Sequence, residues 1–299
     1  MKCIASILPR LSAAAAVLAL SLGSGARADV AYAYAQQRVS NIIVSGTGLA
    51  AATPTGSSTS AAAAINGTGV ATNNVTDTLQ AYQGTGPAAA QNFFSKYSTS
   101  GGGTQAGDFT RGDALLGTPA GLFTTGTSAN SVAESFISTG SAGSSGPGLL
   151  TASGSFSLSG TFTAPTTTTI NIAFNFANDI LTLLTPVGTT GNAQASFKFT
   201  VSIKDQRGNE VNVAPVVLNT ALSSPPNGPG ITNSGSGVAT ISLATLNAGD
   251  TFSIALSGTT LSSVSLTAVP EPGTLTLMSG LALVGGLGAW VRRARSKVA

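Results

Sequence analysis

Alternation of apolar and small polar residues with a period of two is the feature that most constrains the fold of this 299-residue chain. From about residue 150 it recurs in seven or more segments, and a period of two places one side of a strand on a core and the other in water. We therefore predict a mostly β chain with an antiparallel β-sandwich or jelly roll over residues 150–268. The alternating segments are Phe156–Phe162, Ile170–Phe176, Phe197–Ile203, Val211–Val213, Ile241–Leu243, Phe252–Leu256 and Val264–Ala268.

Turn-forming residues separate these segments. Asp205–Asn209 contains Gly208, which adopts a positive φ at no steric cost, so this stretch predicts a hairpin turn. Asn247–Asp250 predicts a second turn, and the proline- and glycine-rich stretch Pro225–Gly230 predicts a loop.

Residues 29–149 differ in texture, because Ala, Gly, Ser and Thr dominate and large apolar side chains are few. Stretches such as Ala50–Ala64 approach low complexity. We predict a loop-rich half with a strand at Val39–Val44 and short helices at Ala88–Tyr97 and Asn130–Ser138.

The first 28 residues have the three parts of a signal peptide. Lys2 is followed by an apolar core centred on Leu11–Leu22 and then by Ala26-Arg27-Ala28, an A-x-A cleavage site. The core is short for a bilayer span, and an uncleaved anchor is the alternative. Cleavage after Ala28 would make Asp29 the first residue of the mature chain.

The last 31 residues, 269–299, have a second three-part pattern. Pro270-Glu271-Pro272 precedes an uncharged apolar stretch that predicts a transmembrane helix over residues 273–291, with Trp290 at its end. A basic tail over residues 292–297 would remain on the cytoplasmic side, which leaves the body outside, in agreement with the signal peptide. An ordinary tail anchor is the alternative.

Together, Pro270-Glu271-Pro272, the apolar stretch and the terminal arginine cluster resemble the PEP-CTERM sorting signal. The resemblance covers about 30 residues and implies processing by exosortase, a membrane enzyme, as partner. It also implies transient anchoring in the inner membrane and a final place at the cell surface or in the extracellular matrix. The family is associated with exopolysaccharide and biofilm.

Charge and residue types exclude several function classes. The net charge of +3 comes from the two ends, and the region from Asp29 to Val291 carries −4, which argues against a nucleic-acid partner. The chain has no histidine, and its one cysteine, Cys3, lies in the signal peptide. Imidazole-dependent triads and His/Cys zinc sites are therefore excluded, and we predict no cofactor.

Carboxylates are the remaining candidates for chemistry. A hard cation bound by oxygen atoms is conceivable at Asp205, Asn209 and Glu210, or at Asn178-Asp179, but the spacings match no calcium loop and turn chemistry is favoured. A glycosidase would need a carboxylate pair, and no spacing singles one out. The body's carboxylates are Asp77, Asp108, Asp113, Glu134, Asp179, Asp205, Glu210 and Asp250. Arg111-Gly112-Asp113 spells an integrin-binding tripeptide, which we interpret as a chance match in a turn.

We therefore expect an exported, exosortase-processed surface or matrix protein that has no catalytic site. The first alternative is a surface-displayed carbohydrate-binding module, since outward Ser, Thr and Asn side chains can bond sugar hydroxyls, although a merely solvated sheet face has the same composition. A carboxylate-based glycosidase is the third hypothesis.

Overall fold

The computed structural model describes residues 30–74, 77–84, 107–117, 123–138, 148–185, 191–224 and 231–266, and strands dominate throughout. Every strand pair is antiparallel. The strands are β1 Val30–Ser45, β2 Thr53–Ile65, β3 Thr68–Asn74, β4 Asp77–Gly84, β5 Phe109–Gly117, β6 Ser128–Ser138, β7 Gly148–Thr163, β8 Thr168–Thr185, β9 Gly191–Asp205, β10 Glu210–Val213, β11 Thr220–Ser224, β12 Ile231–Leu246 and β13 Thr251–Leu266.

The strands form two sheets. The first sheet has the order β12-β8-β1-β6-β5-β4, and the second has the order β10-β9-β13-β7-β2-β3. β11 lies off this order and pairs with β9. A short 3₁₀ helix, Val216–Leu218, connects β10 to β11.

The two sheets pack face to face and enclose the core, so the predicted sandwich-like, mostly β fold is confirmed. Residues 28–267 form one compact unit. Strands from both sides of residue 149 lie in both sheets, so the structure does not separate the two halves that differ in sequence texture.

The prediction of a loop-rich N-terminal half was wrong for the described residues, because six strands begin before residue 139. Asn130–Ser138 is not a helix but part of β6, whereas the strand predicted at Val39–Val44 is confirmed within β1. The stretches Ala88–Tyr97 and 273–291 lie outside the described residues. Among those that the structure describes, no helix has the length and apolarity to span a membrane.

The predicted turns are also confirmed. Asp205–Asn209 joins β9 to β10 with Gly208 at φ +87°, and the Gly208 N–H donates to the Asp205 carbonyl over 3.0 Å. At Asn247–Asp250 the Asp250 N–H donates to the Asn247 carbonyl over 3.1 Å.

One part of the interface between the sheets, the Phe-rich region, consists of Phe156, Phe162, Phe174, Phe199 and Phe252 with the aliphatic residues around them. The rings of Phe174 on the first sheet and Phe199 on the second lie 5.1 Å apart, and those of Phe162 and Phe252 stack at 5.3 Å. Large side chains here fill the space that facing sheets leave between them.

Another part, the small-residue region, consists of Ala61, Ala63, Ala81, Gly112 and Gly154. A Cβ on Gly154 would lie 2.2 Å from the Asp113 carbonyl oxygen, and one on Gly112 would lie 2.1 Å from the Ser153 carbonyl oxygen. The backbones of the two sheets therefore approach too closely for any side chain at these positions.

Hydroxyl groups cross the gap beside the small-residue region. Thr110 on β5 donates through Oγ1 to the Thr151 carbonyl on β7 over 2.8 Å, and the hydroxyls of Ser135 and Ser262 lie 2.9 Å apart. All three side chains are buried, so these bonds satisfy polar groups that the close approach removes from water.

Candidate ligand-binding groove on the second sheet

The outer face of the second sheet is an array of hydroxyl side chains. Along β7 and β13 every second residue points inward and is buried, while the residues between them are only partly buried or exposed. The outward positions are Thr151, Ser153, Ser155, Ser157, Ser159, Thr161 and Thr163 on β7, and Thr251, Ser253, Ala255, Ser257, Thr259, Leu261, Ser263 and Ser265 on β13.

Part of this face is a groove with a volume of about 510 Å³ that crosses β11, β9, β13 and β7. The strand register places its outward residues in two rows. One row contains Ala221, Ser196 and Leu261, and the next contains Ser223, Gln194, Ser263 and Thr151. Because neighbouring strands are about 4.8 Å apart, the polar side chains of the second row follow one another at that spacing.

The lining of the groove is uncharged and amphipathic. Hydroxyl and amide groups in the second row donate and accept hydrogen bonds, while Leu261, 44% exposed, and Ala221 provide apolar surface beside them. The described lining residues have no ionisable side chain, so the contacts that they offer are hydrogen bonds and apolar surface. Lys198 lies on the same face of β9, two residues beyond Ser196.

The carboxylate of Asp205, predicted as a possible cation ligand, is occupied by its own turn. Its Oδ1 accepts from the Arg207 and Asn209 backbone N–H groups, each over 2.8 Å, and its Oδ2 accepts from the Asn209 amide over 2.7 Å. The Asn209 side chain, with the backbone N–H groups of Asn209 and Arg207, lowers the pKa of Asp205. This geometry is turn chemistry, as the sequence favoured.

The other suggested oxygen ligands are likewise engaged by neighbours. Glu210 accepts from Asn212 and Ser202, which lower its pKa, and the Asn178 amide donates to the Val217 carbonyl over 2.7 Å. Within the described part of the chain, no group of three or more Asp, Glu, His or Cys residues is arranged to hold a metal ion.

Glu134 lies in a buried cluster on the face of the first sheet that points away from the second sheet. Both of its oxygens are engaged, one by the Tyr32 hydroxyl and the other by the Arg111 guanidinium. Glu134 is fully buried and Arg111 is 4% exposed. Burial, and after it the Glu134 carboxylate, raises the pKa of Tyr32. The cluster is closed to solvent and resembles a structural ion pair more than a catalytic site.

The Arg111-Gly112-Asp113 tripeptide is not in a turn, so that prediction was wrong. It lies in the middle of β5, where Asp113 is fully buried and Gly112 faces the second sheet. The tripeptide therefore presents no charged pair to a receptor.

The remaining predicted carboxylates do not converge. Asp108 is buried and accepts from the Ser138 N–H over 2.9 Å, while Asp250 accepts from the Gln206 amide and from the Asn247 N–H in the second turn. Asp179 lies on β8, and Asp77 begins β4. The cleavage residues Ala26 and Ala28 and the motif Pro270-Glu271-Pro272 lie outside the described residues.

Reasoning from the sequence did not locate the groove. Its outward Ser and Thr positions on β7, β9 and β13 follow from the alternation, but one wall comes from β11, which has five residues and no strong apolar pattern. Only the pairing of β11 with β9 brings Ala221 and Ser223 beside Ser196 and Gln194.

Comparisons of the chain with protein-family models, with curated proteins and with solved structures found no match.

Proposed function

We propose that this chain is an exported protein of the cell surface or extracellular matrix, without a catalytic site and processed by exosortase. The observation that carries the proposal is the pattern at the two ends, a signal peptide ending at Ala28 and Pro270-Glu271-Pro272 before an apolar stretch and a basic tail. A transmembrane helix over residues 273–291, inner-membrane anchoring before processing and a jelly-roll-like body belong to the same proposal.

The described carboxylates support the non-catalytic part of this proposal. Glu134 is saturated by Arg111 and Tyr32, and Asp205 by its own turn. A glycosidase requires two carboxyl groups that face a common substrate space, and none of the described residues that line the groove is a carboxylate. The hypothesis of a glycosidase therefore has no geometric support among the described residues.

Mass spectrometry of the protein made in cells with and without exosortase tests the proposal. We expect the peptide that contains Trp290 to be missing from the mature protein only when exosortase is present. A Glu271→Ala variant should retain that peptide in both strains. An intact C-terminus in exosortase-positive cells would contradict the proposal.

A surface-displayed carbohydrate-binding module is the second candidate, and the groove on the second sheet favours it. Rows of neutral hydroxyl and amide groups beside an exposed leucine match the alternation of hydroxyl and C–H surface on a neutral polysaccharide. Exopolysaccharide would then be the ligand of the displayed protein.

Calorimetry with neutral polysaccharides tests this candidate. Leu261→Lys places a charge in the groove and should weaken binding at least about tenfold, which corresponds to about 1.4 kcal/mol. Ser257→Lys changes the same face of the same strand outside the groove and should leave the affinity unchanged. Absence of binding to every polysaccharide tested would remove this candidate.

A further inference from the structure

Strand β12 is an open edge of the first sheet. It has 16 residues, pairs with β8 on one side, and has no described strand on the other. Residues 233–238 are all exposed, and Val238 is 72% exposed. No strand among the described residues pairs with the backbone N–H and C=O groups on this side of β12, and such an edge is a template for another strand.

This edge lacks two of the features that usually block pairing between sheet edges, charged residues and proline. Its sequence, ITNSGSGVATISLATL, contains no charged residue and no proline. The other described edge strands are shorter: β3 has seven residues, β4 has eight, β11 has five, and β10 has four and begins with Glu210. Among the described edge strands, only β12 combines length, exposure and the absence of charge.

Two glycines, Gly235 and Gly237, leave the exposed part of β12 without side chains on its core side. A Cβ on Gly237 would lie 3.1 Å from the Phe176 ring, and one on Gly235 would lie 3.1 Å from the Asn178 Oδ1. The side chains of β8 thus occupy the space on the core side of β12. An approaching strand meets backbone and small side chains there instead of bulky ones.

We propose that β12 pairs antiparallel with β12 of a second copy of this chain, around a two-fold axis at Val238. The first sheets of the two copies would then join into one continuous sheet. This pairing would require neither the sorting signal nor a bound ligand.

A second copy is the occupant that the strand itself favours. A two-fold axis places each residue opposite a residue of the same strand, so a strand that carries a charge near the axis repels itself, whereas β12 does not. With the axis at Val238, the two exposed valines face each other as a cross-strand apolar pair on one side of the joined sheet. The flanking pairs would be Gly237 with Ala239, Ser236 with Thr240, and Gly235 with Ile241.

The pairing would remain regular through Ser242, because the irregularity in β12 lies between Ser242 and Thr245. Residues 234–242 of each copy would form the added ladder.

Disulfide trapping tests the proposal on the full chain, with Cys3→Ser as the background because Cys3 is the only cysteine. Residues directly opposite in an antiparallel pair have Cα atoms about 4.5–5.5 Å apart, within the range that a disulfide bridges. Val238→Cys should therefore form a covalent dimer on mild oxidation. Val211→Cys changes an exposed valine on β10, an edge strand of the other sheet, and should remain monomeric under reducing-agent-free electrophoresis.

Ser236→Cys tests the register. It should not cross-link alone, because its opposite residue is Thr240, but it should cross-link when mixed with Thr240→Cys. Cross-linking of Ser236→Cys alone, or none with Val238→Cys, would overturn the proposed pairing.

Light scattering of the purified full chain provides a second measurement that needs no cysteine. The molar mass of the Val238→Lys variant should be half that of the unsubstituted chain at the same concentration, while Val211→Lys should leave it unchanged. A monomeric unsubstituted chain, or a dimer that survives Val238→Lys, would overturn the proposal. Because Val238 is exposed, circular dichroism should show the same fold in both variants.

Discussion

The Phe-rich region and the small-residue region lie in the same interface between two sheets, yet they hold the sheets together by opposite means. In the first, side chains such as Phe174 and Phe199 fill a wide gap. In the second, Gly112 and Gly154 allow the backbones to meet and hydroxyl groups such as that of Thr110 bond across. The comparison shows that the separation of the two sheets in one sandwich can change within a few residues of each strand. It is wide enough for phenylalanine rings in one region and narrow enough for backbone contact in the other.

The first sheet shows the consequence of this difference on its other side. Opposite the small-residue region, its large side chains point away from the second sheet, and Tyr32, Tyr34, Phe109 and Phe136 form a separate buried cluster there. The Arg111–Glu134 pair lies beside them, and the Arg111 guanidinium carbon is 5.3 Å from the centre of the Phe109 ring. The large side chains of this part of the first sheet therefore lie on its outer face and not between the two sheets.

Phe174→Ala tests the Phe-rich region. Truncation of a fully packed phenylalanine leaves a cavity, so we expect the free energy of unfolding to fall by about 3–5 kcal/mol in chemical denaturation. Val211→Ala, at an exposed position, should change it by less than about 0.5 kcal/mol. A loss below about 1 kcal/mol for Phe174→Ala would show that this region is not the tightly packed one.

Arg111→Met tests the outer cluster of the first sheet. It leaves the buried Glu134 carboxylate without its cation, so we expect a loss of about 3–5 kcal/mol at neutral pH. Arg207→Met, on the exposed turn, is the matched control, and an equal effect of the two substitutions in denaturation curves would refute the role of the pair.

Gly154→Ala tests the small-residue region. One added methyl group overlaps the Asp113 carbonyl oxygen, so we expect a loss of about 1–3 kcal/mol as the sheets separate locally. Ser157→Ala, at an outward position of the same strand, should cost about 0.5 kcal/mol or less. Equal midpoints of denaturation for the two variants would contradict the close approach of the two sheets at Gly154.

The smallest effect appears only at high pH. The raised pKa of Tyr32 means that its stabilising contribution is complete below the ordinary tyrosine value of about 10 and is lost as the pH rises toward the folded-state value. Burial raises the pKa of Tyr34 in the same direction. The unsubstituted chain should therefore lose stability above about pH 10, and Tyr32→Phe should flatten that loss. Identical alkaline melting profiles would contradict the burial of the Tyr32 hydroxyl.

The sequence predicted much of the second half of the sandwich and misread the first, for a physical reason. From Phe156 to Leu256 the core is wide, so inward positions carry large apolar residues and the alternation is visible. In β2 the inward residues are Thr59, Ala61 and Ala63, which are small and buried because the sheets approach closely there. A run of alanines does not show the alternation of apolar and polar residues that predicts a strand. In β6 both faces are buried, so Asn130–Ser138 shows no period of two and resembles a helix.

By itself, the sequence determined the β class, the turns at Gly208 and Gly249, and the lack of imidazole and of a thiol beyond Cys3, because these follow from residue type and local spacing. The tertiary structure alone decided where the sheets touch, that Arg111 and Asp113 are buried rather than displayed, and that β11 closes a groove beside Leu261. It also decided that β12 lies at an edge. These properties depend on which strands, distant in the sequence, become neighbours in a sheet. The residue pattern of a single strand does not specify its partner, because any strand offers the same backbone hydrogen-bonding groups.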